Sequence, residues 1–133
     1  MSANLEVVRS IFVAWERGDF RAVDWADPDI DFVIDDGISR SGGSGVAAMG
    51  ELWREFLGSW EAWQTEVQEY RELDPERVLV LLRLSGRGKR SGVEVAQMSA
   101  VGVNVFHLHE GKVTELSIYL DGERALAELG LSP

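Results

Sequence analysis

The stretch VFHLHEGKVTELSIYLD, Val105 to Asp121, decides the fold. Its Glu110-Gly111 pair separates two runs of alternating residues, the pattern of a β-hairpin closed by a two-residue loop that tolerates positive φ. Phe106 and Leu108 share one side of the first run, while Leu116 and Ile118 share one side of the second. Each strand therefore offers an apolar side to a core. The same stretch holds both histidines of the chain, His107 and His109. Residues two apart on a strand point the same way, so both could reach one metal ion.

Working outward, Lys112 to Leu120 is the last strand, and Asp121 can cap a short final helix that Gly130 ends. Upstream, Val93 to His109 is too long for one flat strand, so a bend or bulge is expected near Ser99 to Gly102. Gly86 to Gly92 reads as a turn. Before it, Arg77 to Ser85 alternates, with Val78, Val80, Leu82 and Leu84 opposite Arg77 and Arg83. A turn at Asp74-Pro75-Glu76 joins this strand to one running from Trp63 to Leu73.

The first half of the chain has helical spacing. Leu5, Val8, Phe12 and Trp15 form a stripe that Val7, Ile11 and Ala14 widen, and Gly18 is a C-terminal stop. Asp19 can cap a second short helix to about Trp25, and Asp27-Pro28-Asp29 then forces a turn. From Ile30 the pattern alternates, with Ile30, Phe32 and Ile34 on one side and Asp31, Val33 and Asp35 on the other. Ser39 to Gly45 reads as a flexible loop with Ser44 as an N-cap. Val46, Met49, Trp53, Phe56 and Trp60 then lie along one helical face. Helices come first and strands follow, an order that indicates α+β rather than βαβ.

At 133 residues the chain matches one domain, spanning 1–133, with one core. Hydrophobic residues are 45% and charged residues 27%, so disordered and fibrous classes are excluded. No apolar run approaches the roughly 20 residues of a membrane-spanning helix, and no secretory signal is visible at the N-terminus. With no cysteine, a disulfide framework, a thiolate metal site and a cysteine nucleophile are all absent, and a cytoplasmic location is expected. The formal charge of −10 argues against nucleic acid as a partner. The basic cluster Arg83, Arg87, Lys89 and Arg90 reads as a solvated turn.

Gly102, His107, His109, Glu115 and Gly122 resemble the first metal-binding motif of the cupins in spacing. That family takes a further histidine from a later motif, and this chain has none. The histidines therefore read as solvent-facing or interface residues of the hairpin. No metal and no other cofactor is expected.

A second resemblance spans nearly the whole chain. Its carriers are Ala14-Trp15-Glu16-Arg17-Gly18-Asp19, Asp27-Pro28-Asp29-Ile30-Asp31-Phe32, Gly45, Phe106 to Val113, and Tyr119-Leu120-Asp121 followed by Glu123-Arg124-Ala125-Leu126. In order and spacing these resemble the superfamily named for nuclear transport factor 2, and within it the SnoaL-like branch of polyketide cyclase and ketosteroid isomerase relatives. The resemblance implies a cone-like α+β fold. A strongly curved antiparallel or mixed sheet would pack with N-terminal and central helices around a mostly apolar pocket. That superfamily hosts isomerases, dehydratases, cyclases, hydrolases and plain binding proteins, so the fold alone does not supply a function.

Carried over position by position, the catalytic carboxylate of limonene epoxide hydrolases falls on Ile118, and their arginine and aspartate fall on Leu82 and Leu84. All three are apolar, which excludes that chemistry. The ketosteroid isomerase base falls near Ile34, immediately before Asp35 and Asp36, the oxyanion-stabilising acid falls on Asn104, and the tyrosine falls near Ile11. If strand one continues its alternation, Asp36 faces the pocket and Asp35 faces away. Burial against Trp53 or Phe32 would raise the Asp36 pKa, suiting it as a general base, with Asn104 polarising a carbonyl oxygen. Asp-Asp-Gly is equally an ordinary turn sequence, and Asn104 can equally satisfy backbone at a bulge.

The expected pocket wall is Trp15, Phe32, Ile34, Met49, Trp53, Phe56, Leu82, Leu84, Phe106, Leu116 and Ile118. The expected guest is a small apolar molecule. Two functions follow: metal-free proton abstraction beside a carbonyl by Asp36 and Asn104, or a non-catalytic ligand-binding or dimeric interaction module. Both sides of Val101 to His109 are apolar enough to bury, so a homodimer through the outer sheet face is expected.

Overall fold

The computed structural model describes residues 3–19, 24–35, 40–58, 60–88 and 101–131; at 60–63 and 86–88 the backbone is described. Its elements are α1 (Ala3–Glu16), β1 (Ala26–Asp35), β2 (Arg40–Ser44), α2 (Val46–Gly58), β3 (Trp60–Asp74), β4 (Arg77–Gly88), β5 (Val101–His109), β6 (Lys112–Tyr119) and α3 (Gly122–Glu128). The strands form one sheet in the order β2-β1-β6-β5-β4-β3. Every neighbouring pair is antiparallel except β1 with β6, which is parallel and makes the sheet mixed.

Local chemistry places the ends. After α1, Gly18 has φ +79, and Gly18 N and Asp19 N donate to the carbonyls of Trp15 and Ala14. These bonds satisfy the last open carbonyls of the helix in a left-handed cap that glycine adopts without a Cβ penalty. The β5–β6 loop has φ 50 at Glu110 and φ 80 at Gly111, the double positive φ of a tight hairpin. At α3, Asp121 accepts from Arg124 N at 3.2 Å, as the capping pattern requires.

The β3–β4 turn is closed by Asp74, whose Oδ1 accepts from Glu76 N and Arg77 N, both at 2.9 Å, while Oδ2 takes Arg77 Nε at 2.7 Å. The Arg77 side chain first, and then the backbone donors, hold the Asp74 carboxyl below its ordinary value of 3.8. A depressed folded-state pKa means that this contribution is full above 3.8 and fades as pH falls through the folded value. A carboxyl NMR titration should therefore find Asp74 with a midpoint below 3.8, and Arg77→Ala should move it back up.

Four sequence expectations need correction. Arg40 to Ser44 is an edge strand paired with β1, from Asp31 opposite Ser44 to Asp35 opposite Arg40, and not a loop. Glycine suits it because α2 lies close: a Cβ on Gly43 would sit 3.2 Å from the Ala48 Cβ. Ser44 does not cap α2; its hydroxyl donates to Asp31 Oδ1 at 2.6 Å, and the Gly45 carbonyl accepts from Met49 N instead. Trp60 belongs to β3, since α2 stops at Gly58. Finally, β1 starts at Ala26, and Asp27-Pro28-Asp29 is absorbed as a register shift against β6 between Ala26 and Asp31. The backbone N–H of Asp29 turns to the Asp27 carboxylate at 2.8 Å, giving the ladder an irregularity rather than a break.

The expected helix after Asp19 rests on residues 20–23, outside the described residues, and Asp24 and Trp25 form a turn. Of the expected Gly86–Gly92 turn, Gly86 to Gly88 continue β4 and the rest lies outside the described residues. The bend expected at Ser99 to Gly102 lies mostly outside them too. Among the described residues, no helix is long and apolar enough to cross a membrane.

The sheet has two apolar sides. On the inner one, α1 and α2 cover Ile30, Phe32, Val78, Val80, Leu82, Phe106, Leu116 and Ile118. On the outer one, Leu79, Val103, Ala125 and Leu126 form a smaller cluster in which α3 is the lid. The centre of the outer face is therefore covered by the chain's own last helix. Gly122 lets α3 seat there, because a Cβ on it would lie 2.7 Å from the Val101 carbonyl oxygen. Gly122→Ala should destabilise the fold by about 1–3 kcal/mol in urea unfolding, since backbone cannot step aside as a side-chain tip can.

His107 and His109 lie at the hairpin end of β5. His107 Nε2 is 3.2 Å from Glu76 Oε2, and the side chains of His107 and His109 are 38% and 68% exposed. Among the described residues, no cluster of three or more His, Cys, Asp or Glu is placed to hold a metal ion.

Candidate functional site

Register determines what meets on the inner face. One row runs Ile34, Ile118, Asn104, Val80 and Tyr70 across five strands, each pair in direct register. Asn104 is the polar member among aliphatic neighbours. It is 3% exposed, and its Oδ1 is buried without a hydrogen-bond partner among the described residues. A buried acceptor in that state costs about 1–3 kcal/mol, which is hard to retain unless something else engages it.

Beside this row is a cavity of about 530 Å³, within the roughly 300–1,000 Å³ range of small-molecule sites. Helix α1 contributes Phe12, Trp15 and Glu16, α2 contributes Trp53 and Phe56, and the sheet contributes Thr65, Leu82, Leu84, Asn104 and Ile118. The aromatic wall is ordered. Trp15 and Trp53 stack with centroids 5.5 Å apart and planes 29° apart, and Trp53 stacks on Phe56 at 5.7 Å and 13°. Phe12 meets Trp15 edge-on at 5.1 Å, and Trp25 does so at 6.1 Å. Such contacts fix ring orientation beyond what area burial supplies.

Leu84 owes its place on the wall to Gly102. A Cβ on Gly102 would lie 2.6 Å from Leu84 Cδ1, so the glycine leaves room for the leucine to lie flat on β5 instead of filling the cavity. The charged side chains that border the cavity, Glu16, Glu66 and Arg83, are all exposed. Charge therefore sits at the rim.

The wall residues expected from sequence divide into three groups. Trp15, Trp53, Phe56, Leu82, Leu84 and Ile118 line the cavity. Phe32 and Phe106 lie behind it, with Phe32 edge-on to Trp53 at 6.1 Å and Phe106 tilted against Trp15 at 6.5 Å. Ile34, Met49 and Leu116 are buried in the inner core and are not among the lining residues. Asp36 lies outside the described residues, and the last described residue of β1, Asp35, borders a small outer cleft with Tyr119, Asp121 and Arg124. Sequence reasoning passed over Phe12, Gln64, Thr65, Ser85, Tyr119 and Leu120 as lining residues. Phe12 precedes Trp15 by three on α1, and Leu120 extends the alternation of Leu116 and Ile118, so both carried a periodic signal.

The comparisons agree with this architecture. A SnoaL-like domain profile matches residues 8–116. Among solved structures, an NTF2-like protein of unknown function from Burkholderia pseudomallei superposes with a TM-score of 0.76 at 20% identity, covering 96% of this chain and 97% of that one. A candidate SnoaL-like polyketide cyclase from Jannaschia gives 0.71 at 18% identity, covering 98% and 94%. A candidate polyketide cyclase from Sinorhizobium meliloti gives 0.63 at 23% identity, covering 89% and 99%. No curated protein matches the chain. A mixed six-stranded sheet with helices on its inner face, matched by that profile over most of its length, makes this chain a member of the SnoaL-like family with the NTF2-like cone fold.

Proposed function

We propose that the protein binds a small, largely apolar molecule in the cavity between α1, α2 and the sheet. The observation that carries this reading is a space of about 530 Å³ bounded by the Trp15–Trp53–Phe56 stack, where a solid core would serve stability better. Membership of a family with candidate polyketide cyclases among its structural neighbours supports it.

The test is a thermal-shift screen of apolar compounds, with native mass spectrometry for any co-purified guest. A ligand at a hundred times its Kd should add about 2.7 kcal/mol of stability. Trp53→Ala should lose that response. A screen in which no compound shifts the melting temperature, together with a bare protein mass, would sink the reading.

A catalytic form of the same proposal takes Asp36 as the base that abstracts a proton beside a carbonyl and Asn104 as the group that polarises the oxygen. The position of Asn104 on the cavity wall favours it. Asp36→Asn should then remove turnover of an enone or ketosteroid-type substrate and leave binding intact, whereas absence of turnover in both forms leaves a non-catalytic binding module. The proposed homodimer would use the part of the outer sheet face that α3 leaves half-buried, around Leu81 and Val105, and a monomer mass in solution would count against it.

A further inference from the structure

We infer that Asn104 selects guests that carry a neutral hydrogen-bond donor, a phenolic or enolic hydroxyl or a heteroaromatic N–H, on a flat ring system. The inference rests on the ligand-binding reading above and deepens it. It starts from the atom the fold leaves unsatisfied, which is the acceptor Oδ1 of a side chain only 3% exposed, on the wall of the cavity. An orphan acceptor is satisfied by a donor. A guest offering only an ether oxygen would leave it as it is, and a carbonyl would engage only the amide nitrogen, the role the catalytic form gives it.

Two further features narrow the guest. Trp15, Trp53 and Phe56 stack on one another along one side of the cavity, so that side is aromatic and suits an unsaturated ring system better than a bulky aliphatic. In register Asn104 lies between the apolar Ile118 and Val80, and it shares the cavity wall with Leu82, Leu84 and the uncharged polar Gln64, Thr65, Ser85 and Tyr119, while the charged Glu16, Glu66 and Arg83 are exposed at the rim. An anion pushed to the depth of Asn104 would lose its hydration and, among the described residues, meet no buried counter-charge. The donor that reaches Oδ1 is therefore neutral.

The experiment compares 2-naphthol, 2-methoxynaphthalene and 2-naphthoate, which share a ring system and differ in the group offered. Binding to the full chain is measured by calorimetry and ligand-observed NMR. Wild type should bind the naphthol roughly tenfold or more tighter than the ether, a factor of ten corresponding to about 1.4 kcal/mol, and should bind the carboxylate weakest. In Asn104→Leu, and in Asn104→Val as a second variant suited to a strand, the naphthol and the ether should converge to within about twofold. Equal affinity for naphthol and ether in wild type overturns the inference while leaving the cavity a binding site, as does a preference that survives in both variants. Carboxylate binding that matches the naphthol overturns the requirement for neutrality. Failure of all three compounds to bind overturns the inference, while the ligand-binding reading beneath it stands or falls with the wider thermal-shift screen.

Discussion

Phe106→Ala is expected to lower the unfolding free energy by about 3–5 kcal/mol, read as a shift in the urea midpoint at unchanged slope. Phe106 is 0% exposed and sits in register between Val78 on β4 and Leu116 on β6. Its ring meets Phe12 of α1 edge-on at 5.8 Å and lies against Trp15 at 6.5 Å. Truncation therefore removes one of the contacts that dock α1 on the sheet, beside Phe12 on Tyr70, and leaves a void in the core. For a domain whose total stability is of order 5–15 kcal/mol, that is a large share. The ligand cavity should suffer as well, because Trp15 loses the ring behind it. A loss below about 1 kcal/mol would mean that α1 is held elsewhere, for example through Asn4, whose amide donates to the Pro75 carbonyl at 2.8 Å.

Asn104→Leu should act in the opposite direction on stability. Replacing a buried amide that has an orphan acceptor with an apolar side chain of similar size should add roughly 1–3 kcal/mol to the unfolding free energy, because the neighbours Ile118 and Val80 are apolar already. Affinity for the guest should fall at the same time. Stability given up at a position that handles a ligand is the signature of a functional residue, and it separates this position from Phe106, where stability and binding fall together. Urea unfolding of the ligand-free protein decides the case. A destabilised Asn104→Leu would show that the amide is a structural tie, and the functional reading of Asn104 would fall with it.

Much of the fold is legible because its signals are local. Glu110-Gly111, Gly18, Asp74 and Asp121 each act within a few residues of themselves, through positive φ or a side chain that bonds nearby backbone, and each does in the structure what its position implies. The misread segments are those in which a distant partner overrides local preference. Arg-Ser-Gly-Gly-Ser at 40–44 has the composition of a loop, yet β1 supplies a ladder for its backbone and α2 requires the missing side chain at Gly43. Ser44 has the composition of a cap, yet Asp31 on the paired strand is a better acceptor for its hydroxyl than the helix is a donor.

The candidate site divides along the same line. Alternation on β4 and β6 identifies which residues face inward, so Leu82, Leu84 and Ile118 could be named from spacing, while Asn104 was implied by the resemblance to ketosteroid isomerases. Spacing does not separate an inward residue that lines a void from one that fills it. Phe32 and Leu116 share that inward side and are buried in the core, as is Met49 on α2, with Phe32 edge-on to Trp53 and Leu116 in register with Phe106.

The amino-acid order by itself determines most of the helices and strands, the turns and caps at Gly18, Asp74, Glu110-Gly111 and Asp121 and the side of each strand that is apolar, since these depend on interactions a few residues long. Only the tertiary structure decides that β1 runs parallel to β6, that α3 covers the centre of the outer face, that three rings stack along one wall, and that the Asn104 Oδ1 has no donor beside it among the described residues. Those outcomes depend on long-range packing, in which the same apolar side chain can seal a core or border a cavity according to what the rest of the chain brings against it.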